Sequence, residues 1–108
     1  MTAPTFQHLS VAQLAADMDT KGDVVVVDIR DPNSYAAGRI PGALRLHDGN
    51  AGRFVEGADK SAQTVVCCYH GHASQGVAAW LAEQGFLDVY SLDGGATQWA
   101  AVGPTEGD

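Results

Sequence analysis

The segment from Thr64 to Val77 carries the most specific chemical signature in this chain of 108 residues. It opens with an apolar, β-branched run typical of a buried strand, which ends at Cys68 and leads through a short polar loop into a helical pattern. The free N–H groups and the positive dipole end of a helix favour an anion at its N-terminus. A cysteine placed there is stabilised as its thiolate, the nucleophilic form. We therefore predict that Cys68 is a catalytic nucleophile.

The loop after Cys68 is predicted to hold the anion that forms at its sulfur. The loop residues are Tyr69, His70, Gly71, His72, Ala73 and Ser74. A glycine within the loop permits positive φ, and a loop that curls in this way can turn its N–H groups inward around an anion. Either histidine can donate to an anion at the loop mouth and gain charge as the pH falls. The competing interpretation makes Cys68 a structural residue, since buried cysteines are common.

The neighbouring Cys67, together with His70 and His72, superficially resembles a metal-binding cluster. Successive residues of a strand point to opposite faces, so Cys67 is predicted to be a small core side chain, with a resolving thiol as the alternative. Structural zinc sites usually separate their cysteines by about two to four residues, whereas these two are adjacent. We therefore expect no metal and no other cofactor. His8 and His47 are expected on the surface.

Composition narrows the classes of protein to which the chain can belong. It has 45% hydrophobic residues and a formal net charge of −7, and its six basic residues are scattered. We therefore expect neither a nucleic-acid partner nor binding to an anionic membrane. No apolar run reaches the roughly 18 residues of a membrane span, and residues 1–5 lack the basic and apolar regions of a signal peptide. A cytoplasmic location is the resulting expectation.

The elements that must position the cysteine alternate between strands and helices. Strands are predicted at 6–9, 23–30, 43–46, 64–68 and 88–92, and helices at 11–18, 33–38, 74–84 and from 96 onward, with a weak helical turn near Phe54. Ser10 and Asp31 are predicted N-caps. This alternation implies an α/β fold with about five mainly parallel strands and helices on both faces. We expect a single domain over 1–108, ordered from about 6 to 101 and frayed over 102–108.

The predicted strand at 23–30 contains four consecutive valines and then ends in charged residues. A valine run without alternation indicates a strand that is buried on both faces. Sites in parallel sheets lie at the carboxyl ends of strands, where Asp28, Arg30 and Cys68 all fall. Asp28 and Arg30 are predicted to brace the cysteine loop, with a surface ion pair of little energetic value as the alternative. Trp80 and Trp99 are predicted to lie in the core.

Four motifs in this order resemble the rhodanese homology domain, the thiosulfate:cyanide sulfurtransferase family. They are Val27-Asp28-Ile29-Arg30-Asp31, Gly38-Arg39-Ile40-Pro41-Gly42-Ala43, Cys68-Tyr69-His70-Gly71-His72-Ala73, and Leu92-Asp93-Gly94-Gly95 with Trp99. They span most of the chain, from about residue 6 to residue 101. The Cys-Tyr-His-Gly loop and the chain length look most like the small single-domain thiosulfate sulfurtransferases of the GlpE type.

This resemblance implies a ping-pong sulfurtransferase. The Cys68 thiolate takes the outer sulfur of thiosulfate as a persulfide, and a thiophilic acceptor removes it: cyanide in an assay, or a dithiol protein such as thioredoxin in the cell. The alternative within the family is a persulfide relay or binding module that serves one protein partner with poor thiosulfate turnover. Inward amides of the loop residues would stabilise the persulfide anion in either case.

Two departures from the family pattern bear on the substrate. The phosphatase-like branch resembles Cys-x5-Arg, in which the arginine grips an oxyanion through two hydrogen bonds. Ser74 occupies that position here, and the loop has neither arginine nor lysine. Phosphatase-like hydrolysis is therefore the weaker alternative. Many family members also place a histidine where this chain has Arg39, and several carry a basic residue near the end of the loop.

Overall fold

A five-stranded parallel sheet with helices on both faces forms the described part of the chain, as the sequence predicts. The computed structural model describes residues 5–108, so most of the N-terminal segment assessed for a signal peptide lies outside the described residues. The elements are β1 Gln7–Leu9, α1 Val11–Lys21, β2 Val25–Asp28, α2 Pro32–Ala37, β3 Leu44–Arg45, α3 Ala51–Gly57, β4 Thr64–Cys67, α4 Ala73–Glu83, β5 Val89–Leu92 and α5 Gly95–Val102. No helix among residues 5–108 is long and apolar enough to cross a membrane.

The strand order β1-β5-β4-β2-β3 places β4 at the centre of the sheet, and all four strand pairs are parallel. Asp28 lies opposite Cys67 in the β2–β4 register, and Ser91 lies opposite Val66 in the β4–β5 register. The carboxyl ends of β2, β4 and β5 therefore meet at one edge of the sheet, with the cysteine in the middle.

Local capping fixes where the first two helices begin. The Ser10 hydroxyl accepts a hydrogen bond from the Gln13 amide at the start of α1, and the Asp31 carboxylate accepts one from the Ser34 amide at the start of α2. Pro32 follows Asp31 at the first helical position, where its missing N–H costs nothing. Both predicted N-caps are confirmed.

Both faces of the central strands are buried, which confirms the interpretation of the valine run. Val26 and Val65 belong to one core layer, and Val27 and Val66 belong to the other. The first layer also holds Trp99, which is only 2% exposed, so its predicted core position is correct.

The predicted core position of Trp80 is wrong, because its side chain is 37% exposed. The buried residues of α4 are Ser74, Ala78, Leu81 and Ala82. Each residue turns a helix by about 100°, so Trp80 lies roughly 200° around the helix from Ala78 and 100° from Leu81. This places the indole off the buried face of α4, where it borders solvent.

Asp28 and Arg30 form a buried ion pair, so the alternative of a surface pair is wrong. Asp28 is 1% exposed and Arg30 is 8% exposed. The Arg30 guanidinium donates to both carboxylate oxygens of Asp28 at 2.7–3.1 Å, and it also donates to the Gly38 carbonyl at 2.7 Å. The pair thereby fastens the end of β2 to the end of α2.

The C-terminal tail, for which we expected fraying, makes specific contacts. The backbone groups of Arg39 and Glu106 exchange two hydrogen bonds of 2.9 Å, and the Arg39 guanidinium lies 2.9 Å from the Asp108 carboxylate. The Trp99 indole donates to the Pro104 carbonyl at 2.7 Å. The charge of Arg39 explains this arrangement, because two acidic residues of the tail, Glu106 and Asp108, pair with it.

Removal of one partner from the buried ion pair should destabilise the fold strongly. We expect Arg30→Ala to lower the free energy of unfolding by about 3–5 kcal/mol, because it leaves the Asp28 carboxylate buried without a counter-charge. The double variant Asp28→Leu/Arg30→Met should be closer to wild type, because it removes both charges together. Urea denaturation measures both effects.

His8→Ala provides the control, because His8 and Asp93 form an exposed pair and its loss should cost less than about 1 kcal/mol. Equal, small losses in Arg30→Ala and His8→Ala would contradict the importance of the buried pair.

Candidate active site

The Cys68 sulfur lies just past the end of β4 and is surrounded by backbone amides of the loop that follows. Its Sγ accepts hydrogen bonds from the Gly71 amide at 3.2 Å and from the Ser74 amide at 3.3 Å. The residue is 3% exposed. The arrangement is an anion-binding cradle built from main-chain donors around one sulfur atom.

Gly71 makes the curl of this loop sterically possible. Its φ is +95°, and a Cβ at this position would lie 3.0 Å from the Gly94 nitrogen and 3.1 Å from the Leu92 carbonyl oxygen. The loop therefore passes directly over the turn that follows β5. A side chain at residue 71 would both strain the backbone and push the loop away from that turn.

The first turn of α5 holds the outer side of the loop. The Ala96 amide donates to the Cys68 carbonyl at 2.8 Å, and the Thr97 amide donates to the Tyr69 carbonyl at 3.2 Å. A Cβ at Gly95 would lie 2.5 Å from the same Cys68 carbonyl oxygen, so only glycine allows this approach. Because α5 binds these carbonyls, the loop backbone is held with its next amides directed at the sulfur.

The two adjacent cysteines have opposite acid–base properties. Burial raises the pKa of the Cys68 thiol. Hydrogen bonds from the Ser74 side chain and from loop amides lower it by more than burial raises it, so the net pKa is below the ordinary value. Burial, together with the Asp28 charge, raises the pKa of Cys67 to about 12. Cys67 packs in the core layer that contains Trp99, on the opposite face of β4. Cys68 is therefore the member of the pair that the fold favours as a thiolate.

The other predicted loop residues occupy distinct positions. His70, His72 and Ala73 are exposed at the mouth, whereas Ser74 is fully buried. Tyr69 is 43% exposed and its hydroxyl donates to the Asp31 carboxylate, which ties the loop to the start of α2. This hydrogen bond is the largest of the contacts that hold the pKa of Asp31 well below its usual range. Tyr69 thus anchors the loop from outside.

The side chains of Asp28 and Arg30 bind each other, and Arg30 also binds the Gly38 carbonyl. Neither side chain contacts the Cys68 sulfur through a hydrogen bond. Asp28 pairs in register with Cys67, and the Ile29 amide donates to the Cys67 carbonyl at 3.0 Å. Among residues 5–108, the side chains of the pair make no hydrogen bond to the cysteine loop. Any bracing of the loop must therefore pass through the β2–β4 ladder and through α2.

A groove of about 530 Å³ opens on the face of the sheet toward which Cys68 points, and no sequence pattern indicates it. Its lining residues are Ile29, Leu46, His47, Asp48, Ala51, Gly76, Val77 and Trp80. Ile29 follows the Asp28–Cys67 pair in the β2–β4 register, so it lies beside Cys68 on the neighbouring strand. The groove therefore begins near the carboxyl ends of β2 and β4 and offers mostly apolar contacts. Trp80, which is predicted from the sequence to lie in the core, instead lines this groove from the exposed side of α4.

Within residues 5–108, no group of three or more His, Cys, Asp or Glu side chains is placed to hold a metal ion. Both cysteines are free thiols. The nucleophilic and hydrogen-bonding groups at the site are the Cys68 thiol, the loop amides and the Ser74 hydroxyl.

Comparisons with known proteins agree with this architecture. A family model described as "Rhodanese-like domain" matches residues 10–102. The thiosulfate sulfurtransferase GlpE of Pseudoalteromonas translucida is 51% identical over 97 residues, which cover 90% of this chain and 91% of that protein. The protein of the same name from Pseudomonas entomophila is 52% identical over 101 residues, covering 94% of this chain and 91% of its own.

Solved structures give the same fold. The rhodanese-like domain of an Anabaena protein superposes with a TM-score of 0.83 at 25% identity, covering 100% of this chain and 81% of that one. A protein of unknown function from Rhodopseudomonas palustris, described as a possible tyrosine phosphatase, has a TM-score of 0.78 at 28% identity, covering 94% of this chain and 85% of its own.

The two cysteines should differ sharply in their reactivity toward an alkylating agent. We expect the alkylation of Cys68 by iodoacetamide to show a midpoint below about 8.5, the free-thiol value, because the pKa is lowered. Cys67 should stay unmodified below pH 10, because its pKa is raised to about 12 and its side chain is 0% exposed. Peptide mass spectrometry across pH 5–10 separates the adjacent sites when Cys67→Ser and Cys68→Ser are run in parallel. A Cys68 midpoint at or above 8.5 would contradict the amide cradle.

Proposed function

The chain belongs to the rhodanese-like domain family, and from that premise we propose that it is a thiosulfate sulfurtransferase in which Cys68 is the nucleophile. The observation that carries the proposal is the pair of amide contacts from Gly71 and Ser74 to the Cys68 sulfur. Main-chain donors around a single buried sulfur suit a group that stays anionic throughout the reaction. The GlpE proteins, which are about half identical to this chain, carry the same activity in their names.

The first half-reaction loads the enzyme. The Cys68 thiolate attacks the outer sulfur of thiosulfate, a new S–S bond forms, and the S–S bond of thiosulfate breaks. Its electron pair leaves with sulfite, and Cys68 becomes a persulfide whose terminal sulfur carries the negative charge. The amides of residues 69–74 are the donors that we assign to this charge.

The second half-reaction removes the terminal sulfur from the Cys68 persulfide. A thiophilic nucleophile attacks the terminal sulfur, and the Cys68 thiolate leaves with the electron pair of the persulfide bond. Cyanide gives thiocyanate in this step. A dithiol protein of the thioredoxin type, our proposed acceptor in the cell, takes the sulfur as its own persulfide, and its second thiolate then forms the disulfide and releases hydrosulfide.

The surroundings of Cys68 have supporting roles in this proposal. The groove lined by Ile29 and Trp80 gives an acceptor an apolar surface on the face of the sheet toward which Cys68 points. Asp28 and Arg30 keep the end of β2 and the end of α2 in place, and we assign them a positioning role through the backbone of Cys67. The proposal includes no cofactor, nucleic acid or membrane, and it places the chain in the reducing cytoplasm, where Cys68 stays a free thiol.

Two weaker functions use the same cysteine. A persulfide relay module, which passes sulfur to one protein partner with little thiosulfate turnover, is favoured by the absence of lysine and arginine from the loop and by the net charge of −7. Phosphatase chemistry is disfavoured by the same absence, because a phosphate dianion needs a cationic clamp. Ser74, at the position of that clamp, is turned into the core toward Ser91.

Persulfide loading tests the proposed function directly. We expect thiosulfate, in the absence of reducing agent, to add one sulfur of about 32 Da to the Cys68 peptide, because the thiolate retains the outer sulfur. Cys67→Ser should load like wild type and Cys68→Ser should not load. An unmodified wild-type protein after incubation with millimolar thiosulfate would refute the thiosulfate route.

Turnover separates the three functions. A sulfurtransferase should form thiocyanate from cyanide over many cycles, whereas a relay module should load once and discharge only onto its partner. Hydrolysis of p-nitrophenyl phosphate that depends on Cys68 would instead revive the phosphatase interpretation.

A further inference from the structure

Two serine hydroxyls meet in the core directly behind the cysteine loop. Ser74 lies in the first turn of α4, and Ser91 lies on β5; both are 0% exposed and their Oγ atoms are 2.7 Å apart. Ser91 alternates on β5 with Val89, which belongs to the core layer under α4, so its side chain faces that helix. A buried polar pair in an otherwise apolar layer is destabilising unless its hydrogen bonds are satisfied.

Counting donors favours one direction for this hydrogen bond. Each hydroxyl has one proton to donate, and among residues 5–108 the side chain of Ser91 has Ser74 as its only hydrogen-bond partner. If Ser74 donated to Ser91, the Ser91 proton would be buried without an acceptor. In the opposite direction Ser91 donates to Ser74, and the Ser74 proton stays available for a different acceptor.

The acceptor in question is the Cys68 sulfur. The Ser74 hydroxyl is hydrogen-bonded to Ser91 in the structure, and the amide of the same residue lies 3.3 Å from the sulfur, which keeps the hydroxyl close to that atom. A hydrogen bond from the Ser74 side chain lowers the pKa of Cys68. Donation along the series Ser91, Ser74, Cys68 Sγ satisfies both hydroxyl protons and ends on the atom that bears negative charge. The reversed arrangement leaves the Ser91 proton without an acceptor and gives the sulfur its two amide donors alone.

We propose that Ser91 is a positioning residue for the reaction, which orients the Ser74 hydroxyl so that it donates to the Cys68 sulfur. The inference rests on the proposed function and deepens it. The hydroxyl stabilises the thiolate that attacks the sulfur donor, and it stabilises the same thiolate again as the leaving group when the acceptor removes the terminal sulfur. The loop contains neither lysine nor arginine. The two buried serines therefore supply the side-chain donor to the Cys68 sulfur.

The titratable groups around Cys68 do not change in the variants that test this proposal. They are Cys67 on β4, Asp28 at the end of β2, Tyr69, His70 and His72 in the loop, and Asp93 after β5. Each remains in place when Ser74 or Ser91 is replaced, so a difference in the Cys68 titration reports on the hydroxyl pair. When the variants are compared at equal ionic strength, the contribution of these groups to the Cys68 midpoint is the same in each and cancels.

The test is the pH profile of Cys68 alkylation in four proteins: wild type, Ser74→Ala, Ser91→Ala and the double variant. Loss of the Ser74 hydroxyl should raise the midpoint by about one pH unit, a tenfold loss of thiolate below the midpoint. Ser91→Ala should raise it by about half a unit, roughly threefold, because the Ser74 hydroxyl is then no longer oriented. The double variant should match Ser74→Ala alone, since Ser91 acts only through Ser74.

Thr64→Val is the matched control. It removes another buried hydroxyl from the sheet, one that donates to the Ala62 carbonyl at the far end of β4. It should lower the melting temperature and leave the Cys68 midpoint unchanged. An unchanged midpoint in Ser91→Ala, with stability lowered as in Thr64→Val, would overturn the proposal and make the pair a simple link between α4 and β5. A further rise in the double variant over Ser74→Ala would overturn it as well.

The isosteric pair Ser91→Thr and Ser91→Val decides the question if Ser91→Ala does not fold. Thr keeps the hydroxyl and should retain the wild-type midpoint, whereas Val has the same shape without the donor and should show the half-unit rise. Equal midpoints for Thr and Val would overturn the proposal. Alkylation needs no thiosulfate, so failure of persulfide loading with the expected midpoints intact would refute the proposed function and leave the hydroxyl series standing.

Discussion

The rest of the site depends on one constraint: the backbone after β4 must present N–H groups to a sulfur atom while its carbonyl groups are satisfied elsewhere. Peptide groups carry both a donor and an acceptor, so a loop cannot turn its amides inward unless something binds the outward carbonyls. The first turn of α5 does this, since its amides bind the carbonyls of Cys68 and Tyr69. Gly71 and Gly95 are required at the two closest approaches, where a Cβ would collide with backbone atoms. The turn after β5 is therefore as much a part of the cradle as the loop itself.

The parallel sheet explains why these parts meet. A βαβ crossover brings the carboxyl ends of β2, β4 and β5 to the same edge, although their residues are far apart in the chain. Burial of both faces of β4 gives the adjacent cysteines different environments: Cys67 lies in the layer with Trp99, where burial opposes its ionisation, and Cys68 lies among donors that favour it. By the alternation of its side chains, a single strand thus separates a thiol whose ionisation is opposed from one whose ionisation is favoured.

Much of this could be predicted from the sequence, because the relevant signals are local. The valine run, the caps Ser10 and Asp31, and a strand that ends in Cys68 before a helix each depend on neighbours a few residues away. What was missed depends on tertiary packing. The contact between Tyr69 and Asp31 joins residues 38 positions apart, and Ser91 is an unremarkable strand residue until the sheet register places it under α4. Trp80 was misplaced because helical periodicity defines a face of α4 without saying how far the sheet beneath extends.

The charge balance of the proposed cycle gives a reason for the absence of lysine and arginine from the loop. In the proposed cycle the cysteine carries one negative charge as a thiolate and one as a persulfide, so the charge that the cradle must hold never changes. Neutral donors such as the Gly71 amide and the Ser74 hydroxyl match a single charge spread over large sulfur atoms. A fixed cation would also stabilise the sulfite dianion and slow its departure from the site. In the same proposed cycle the net charge of −7 repels thiosulfate and sulfite alike at long range, so it opposes binding of the donor and favours release of the product to a similar extent.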